Sequence, residues 1–336
     1  MIDENLDRVF EMTDSTLLFL RRAQFPLTWM AQVRNASSRP RAEVKSRQSH
    51  PMKLCRYDDN RIGLVRGHNV HDVSGVLDAL PPLRYPVPFG DHLIANLGGL
   101  RERMERLADA AAPRPVDEVR FLSPVANPSK IIGTPANYLA HAEEARNDPQ
   151  ISVFHGGKQR TIEEQGLFLK ASSSLVGPSE GVAVKFPDRR TDHEAELGVV
   201  IGRKTGPIAE GDALSVVAGY AIALDMVVRG KEDRSFRKSP DTYAVLGPWL
   251  VTADELGDPG ALDFTLHVNG ELRQAANTRE MVIGIARQIS WAASVYTLYP
   301  GDIIMTGTCQ GVAPVKPGDV MTLAFERIGE MTVPVR

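Results

Sequence analysis

At 336 residues, against a prior of roughly 150 residues per domain, the chain has room for two structural units and a sizeable buried core. With 43% hydrophobic and 24% charged residues it is not a disordered chain, and 39 Lys+Arg against 42 Asp+Glu (formal net charge −3) leave no global field to draw a nucleic-acid backbone or an anionic membrane. Two cysteines, Cys55 and Cys309, allow one disulfide at most, form no Cys-x-x-Cys pair and fit a reducing compartment.

Residues 1–51 differ from the rest. Between 34 and 47 stand Arg34, Arg39, Arg41, Lys45 and Arg47 against one acid, Glu43, among serines and a proline. With no helical or strand period, this reads as a solvated segment. Asp3, Glu4 and Asp7 occupy the place where a secretory signal carries positive charge, and Arg21 and Arg22 cut short the run Leu17-Leu-Phe-Leu20, so a cytoplasmic protein is expected. No run approaches the roughly 18 to 20 apolar residues of a membrane span; the longest, 216–226, contains Asp225. We expect Met52 to be the ancestral or actual start, with 1–51 an extension or a misassigned start.

From Met52 the pattern is crisp. Lys53-Leu-Cys-Arg-Tyr57, a turn at Asp58-Asp-Asn60 and Ile62-Gly-Leu-Val65 predict a hairpin. A connector with Pro81, Pro82, Pro86 and Pro88 leads to a helix over 90–111, where Leu93, Leu97, Leu100, Met104 and Leu107 recur at spacings of 4, 3, 4 and 3 along one face. Residues 52–120 thus read as a small amino-terminal α/β unit, ending in a linker at 110–115. From 121 to 336, short β-like runs are punctuated by Gly177-Pro178, Gly247-Pro248, Asn269-Gly270, Pro300-Gly301 and Pro317-Gly318. Helical stretches are few, over 137–146, 281–298 and, more weakly, 209–217. Strands dominate without regular βαβ alternation, which predicts an α+β fold with a β-rich, mixed-sheet roll and excludes a doubly wound or TIM architecture.

Glu194-Ala-Glu196 opens the apolar run Leu197-Gly-Val-Val-Ile201. On a strand the period of two puts both carboxylates on one face. Such a pair is either a solvated face or a cation site, and the hydrophobic run that follows argues for a strand covered on both sides. Asp225 closes a second apolar stretch, where an unpaired charge is costly. Three hard oxygen donors without soft ligands suit Mg²⁺ or Mn²⁺, with Ca²⁺ the alternative, and not zinc or copper. In His141-Ala-Glu-Glu144, positions i and i+3 share a helical face. Glu144 can orient His141 or share its proton, or the pair is a plain surface histidine with an acid neighbour; Glu143 points elsewhere. Arg229 and Lys238 are either surface groups or, beside a cation, a fork for a substrate carboxylate and a charge for a developing oxyanion. Met305-Thr-Gly-Thr-Cys-Gln-Gly311 is a glycine-bearing loop that could be a bare turn. It is no Walker A loop, and no Gly-x-Gly-x-x-Gly follows a strand.

Together these blocks resemble the fumarylacetoacetate hydrolase family from about residue 129 to the carboxyl terminus: Ile131-Ile-Gly-Thr-Pro-Ala-Asn-Tyr-Leu-Ala-His141, Asp192-His-Glu-Ala-Glu-Leu197, Gly219-Tyr-Ala-Ile-Ala-Leu-Asp225, Leu246-Gly-Pro-Trp249 and Pro300-Gly-Asp-Ile-Ile-Met-Thr-Gly-Thr308. The resemblance implies a β-rich roll, usually homodimeric, that holds Mg²⁺ or Mn²⁺ with Glu194, Glu196 and Asp225. It further implies a lid helix carrying the His141 and Glu144 dyad, a catalytic Lys238, and substrate contacts from Arg229, Glu232, Tyr138 and Thr308. Two departures stand out. Glu232 replaces a common Gln and cannot donate a hydrogen bond when ionised, and Thr308-Cys309 replaces Thr-Pro.

The expected activity is hydrolysis of a C–C bond in a β-diketo acid of the acylpyruvate, fumarylpyruvate or fumarylacetoacetate type, with His141 and Glu144 activating water. A 2-oxo acid decarboxylase or isomerase of the same family is the nearest rival, and a catalytically silent metal- or acid-binding protein is the rival of another class. The partner is a small diketo or 2-oxo acid, not a nucleic acid or a membrane. Lys158, Arg160 and the insertion 147–165 are expected to border the pocket.

Overall fold

The structure, a computed structural model, describes residues 52–148 and 161–336. Residues 1–51, with the expected alternative start, and 149–160, with Lys158 and Arg160, lie outside them.

β1 (Lys53–Tyr57) and β2 (Arg61–Arg66) form the expected hairpin, and β3 (Asn69–Asp72) adds to β2. Helix α1 (His92–Ala110) begins at Asp91, whose carboxylate accepts from the N–H groups of Leu93 and Ile94 at 3.0 Å each, so two of the first-turn donors are satisfied at once. Its buried stripe is Leu93, Ile94, Leu97, Leu100, Met104 and Ala108. β4 (Pro113–Pro115) pairs with β3, and β5 (Phe121–Leu122) with β1.

The remaining elements follow in order: β6 (Ile131–Gly133), α2 (Leu139–Asn147), α3 (Ile162–Gln165), β7 (Phe168–Lys170), β8 (Leu175–Val176), β9 (Thr191–Asp192), β10 (Ala195–Ile201), β11 (Val217–Asp225), β12 (Val227–Val228) and α4 (Arg234–Arg237). Then come β13 (Ala244–Thr252), α5 (Ala253–Leu256), β14 (Asp263–Val268), β15 (Glu271–Asn277), α6 (Ile285–Val295), β16 (Ile303–Met305), β17 (Val320–Phe325) and β18 (Gly329–Pro334). The stretch expected to be helical near 209–217 is a 3₁₀ segment, Glu210–Val216.

A 12-stranded mixed sheet runs β4-β3-β2-β1-β13-β11-β10-β16-β6-β7, with β5 on β1 and β8 on β13. β1 joins β13 through Lys53↔Val251 and Leu54↔Leu250, so the amino-terminal strands continue this sheet. All seven residues of β10 are buried because both faces are covered. On one side Leu197, Val199 and Ile201 pack with Tyr220, Ile222, α6 and the four-stranded sheet β15-β14-β17-β18. On the other, Val200, Ala221 and Ala223 pack under the apolar stripe of α1. The architecture is the expected α+β mixed sheet.

The sheet curls. Lys170, on edge strand β7, reaches Asp225 of β11, with three strands between them in pairing order, and β8, which follows β7, pairs in parallel with β13. Among the described residues no helix is long and apolar enough to cross a membrane.

Candidate metal centre and active site

β10 and β11 are antiparallel with Glu196 opposite Ala223, so the start of one strand and the end of the other meet. Glu194 and Glu196 flank that start and Asp225 closes that end. Their carboxylate oxygens lie within 4.8 Å of one another, and all three residues are buried.

Positive charge surrounds them. Lys238 Nζ donates to Glu194 Oε2 at 2.6 Å and also to Asp225 Oδ2. Lys170 Nζ donates to Asp225 Oδ1 and, at 3.0 Å, to the Tyr243 carbonyl. Arg229 Nε meets Asp192 at 2.7 Å, and its Nη2 meets Glu194 Oε1 at 3.3 Å. Burial alone would raise the Glu194 carboxyl, but Lys238, Arg229 and His141 outweigh it and hold it down at about 2. Glu196 goes the other way: burial, then the negative charges of Asp225 and Glu194, push its carboxyl well up despite Lys238 and the Gly307 N–H. Three buried oxygen donors, one of them left with excess negative surroundings, fit a hard divalent cation. With no sulfur or ring nitrogen among the three, they do not fit a soft one.

The dyad is formed. His141, 8% exposed on α2, places Nδ1 3.1 Å from Glu144 Oε2, while Glu143 is exposed. A carboxylate is acceptor only, so Nδ1 carries the proton and Nε2 is the basic nitrogen. Burial raises the Glu144 carboxyl, but hydrogen bonds from His141 and the Gly311 N–H bring it below the ordinary glutamate value. The segments leading to α2 and the glycine loop emerge together because β6 and β16 are parallel neighbours with Gly133 beside Met305.

That loop ties the two clusters together. The Gly307 N–H donates to Glu196 Oε2 at 2.7 Å and the Gly311 N–H to Glu144 Oε1 at 3.0 Å. The bends need φ of +95° and +92° at these two residues, a region in which side-chain-bearing residues are strained.

With this geometry in view, comparison with known proteins is decisive. Residues 130–336 match the family model for the carboxyl-terminal domain of fumarylacetoacetate (FAA) hydrolase. A maleylpyruvate hydrolase of Aquipseudomonas alcaligenes is 50% identical over 285 residues, covering 85% of this chain and 99% of the relative. The chain belongs to the fumarylacetoacetate hydrolase family. A 2,4-didehydro-3-deoxy-L-rhamnonate hydrolase of Sphingomonas sp. is 36% identical over 299 residues, covering 83% of this chain and 94% of its own. The solved maleylpyruvate hydrolase of Sphingobium sp. SYK-6, in complex with manganese(II) and pyruvate, superposes with a TM-score of 0.70 at 40% identity and covers 84% of this chain and 98% of its own.

Against the family pattern, the remaining residues distribute unevenly. Glu232 is forked by Arg189 at 2.8 and 3.1 Å, and this hydrogen bond keeps its carboxyl low. Arg189 Nη2 also donates to the Arg229 carbonyl at 2.9 Å. Tyr138, 2% exposed, packs edge-to-face on Phe264 in the core, and burial pushes its phenol up. Thr308 Oγ1 donates to the Ala195 carbonyl and accepts from Gln274 Nε2, both at 2.8 Å. The thiol of Cys309 is buried and pushed up to about 12.

Sequence reasoning passed over Lys170, Asp192, Gln274 and the two arginines Arg189 and Arg190, the latter bonded to Asp148 and Asp192. Lys170 carried a usable signal: like Asp225, it is a charge closing an apolar run, Leu167-Phe-Leu. Gln274 carried none, since its partners are all distant in sequence.

Proposed function

We propose that this enzyme is a metal-dependent hydrolase that cleaves an acylpyruvate into pyruvate and a carboxylic acid, with maleylpyruvate the first substrate to try. What supports the reading above all is a single arrangement: a buried acidic trio and a His–Glu dyad joined by one loop, in a family member half identical to a maleylpyruvate hydrolase.

In this reading Glu194, Glu196 and Asp225 hold Mg²⁺ or Mn²⁺, and the bound ion supplies positive charge for the substrate's carboxylate and adjacent keto oxygen. His141 Nε2 takes a proton from water, with Glu144 holding Nδ1–H and stabilising the imidazolium that forms. The hydroxyl oxygen bonds to the distal carbonyl carbon. The bond from that carbon to the methylene breaks, its electron pair passes into the enolate of pyruvate, and His141 returns the proton to the methylene carbon. Lys238, already at the acids, offsets the enolate charge, and Arg229, Glu232, Tyr138 and Thr308 shape the substrate's surroundings. The reading includes a cytoplasmic location and a homodimer, the latter testable by light scattering, with a small amino-terminal unit, to about residue 120, built onto the sheet of the catalytic one.

Incubation of Mn²⁺- or Mg²⁺-loaded enzyme with maleylpyruvate and other acylpyruvates, with products identified by mass spectrometry, tests the reaction. Pyruvate plus the matching acid is expected. Released CO₂, or a product of unchanged mass, would replace hydrolysis with decarboxylation or isomerisation. Metal uptake without turnover of any substrate would leave a binding protein.

A further inference from the structure

The loop that links the acids to the dyad is held at two places of different origin. Its first half is fastened from within the large sheet and by Asn137: the Thr306 hydroxyl donates to the Leu197 carbonyl at 3.0 Å, and Asn137 Nδ2 to the Thr306 carbonyl at 2.8 Å. Its second half rests on β15, a strand of the other sheet. There the amide of Gln274, fully buried, uses both ends twice. Oε1 accepts from the Ala195 N–H at 3.0 Å and lies 3.1 Å from His193 Nδ1; Nε2 donates to Thr308 Oγ1 at 2.8 Å and to the Cys309 carbonyl at 3.0 Å. A backbone N–H on one end and a backbone carbonyl on the other fix which end is oxygen. Beside it, Gly311 lies against the Arg273 carbonyl so closely that a Cβ would sit 1.9 Å from that oxygen.

We propose that Gln274 is a positioning residue: by clamping Thr308 and Cys309 to the strand between Glu194 and Glu196, it sets where the Gly311 N–H meets Glu144, and so the aim of the His141 base. The proposal rests on the dyad reading above. Because the Gly307 contact to Glu196 belongs to the half held by Thr306 and Asn137, while Gln274 Oε1 holds the Ala195 N–H between the two glutamates, losing only the Nε2 donors should affect turnover more than metal binding, and losing both ends should weaken both.

The test compares Gln274→Met, Gln274→Glu, Thr308→Val, Glu144→Gln and the double variant Gln274→Met/Glu144→Gln in the Mn²⁺-loaded full chain. Turnover of the acylpyruvate, KM, and Mn²⁺ affinity by calorimetry are measured for each. Outer partners of a site are typically worth about 10- to 100-fold. Gln274→Met, which also frees the Ala195 N–H, is expected to lower both kcat and Mn²⁺ affinity. Gln274→Glu keeps the acceptor end for Ala195 but not the amide donors, and is expected to lower kcat by that factor with KM and Mn²⁺ affinity within about 3-fold of the parent, a split that general loss of folding would not produce. Thr308→Val removes one clamp point without altering Gln274, and should move kcat the same way. The double variant should be no slower than Glu144→Gln alone, since both act through one carboxylate.

Multiplying losses in the double variant, parent-like kcat in Gln274→Glu, or a fall in Mn²⁺ affinity of Gln274→Glu matching its fall in kcat would each overturn the assignment while leaving the dyad standing. Parent-like kcat in Glu144→Gln itself would remove the dyad reading, and this proposal with it.

Discussion

In the proposed mechanism Glu196 and His141 act on different parts of the site, and replacing each one separates them. Glu196 accepts the Gly307 N–H and is shielded from water. Glu196→Gln keeps the shape and an acceptor but removes an anionic ligand, so calorimetry should detect no Mn²⁺ uptake and activity should vanish. His141→Ala leaves the three acids intact: Mn²⁺ binding should persist while kcat falls by roughly 10² to 10⁴, the usual worth of a general base. Cys309 shows how burial controls reactivity. Its thiol is raised from 9.0 to about 12, and burial likewise pushes Cys55 up, so at pH 7.5 both are protonated. Iodoacetamide should modify neither until the protein is unfolded, as counted by intact mass. A thiol whose folded value is raised stabilises the fold below about pH 9, and that contribution is lost as pH climbs toward 12. Melting temperature should therefore decline above pH 9, less steeply in Cys309→Ala.

At the scale of elements, α1 illustrates one side chain joining two structures. Asp91 caps the helix with Oδ1, and its Oδ2 accepts from the N–H groups of Ala126 and Asn127 at 2.8 and 3.1 Å, locking the helix start to the chain that enters β6. Asp91→Ala should cost about 1 kcal/mol for the cap and about 1 to 3 kcal/mol more for the abandoned N–H groups. Urea unfolding should show this as a lower midpoint with unchanged slope. The helix itself was legible from its leucine spacing, and so was the β1–β2 hairpin from its Asp-Asp-Asn turn, because both arise from contacts a few residues apart. The sequence pattern predicts the His141 helix over 137–146, and it spans Leu139–Asn147; the later one, expected over 281–298, is limited to Ile285–Val295. In that second helix the apolar pattern overran the end, since Leu298 is as buried as the helix core yet lies beyond it.

For the whole molecule, a metal ion held by the acid trio as proposed would couple binding to folding. An ion that binds only the folded chain stabilises it by about 2.7 kcal/mol at a hundred times its Kd, so Mn²⁺ should raise the melting temperature in calorimetric scans, and should not in Glu196→Gln. An equal rise in that variant would place the ion elsewhere. The curl of the large sheet creates the site's charge balance, bringing Lys170 to Asp225 across 55 residues of sequence. The four-stranded sheet adds Gln274, which bonds to residues 81 positions before it and 34 after it.

By itself the sequence determined the family, the strand-rich class, the three acids and the His–Glu pair. Each is written in a short segment whose cost or period can be judged locally: like charges beside apolar runs, and carboxylate and imidazole one helical turn apart. Only the tertiary structure decided what answers those charges. Arg189, Lys170 and Gln274, which bond to Glu232, Asp225 and Thr308 respectively, are brought in by pairing between strands distant along the chain, and hydrogen bonds and ion pairs at such range leave no periodicity in a linear sequence.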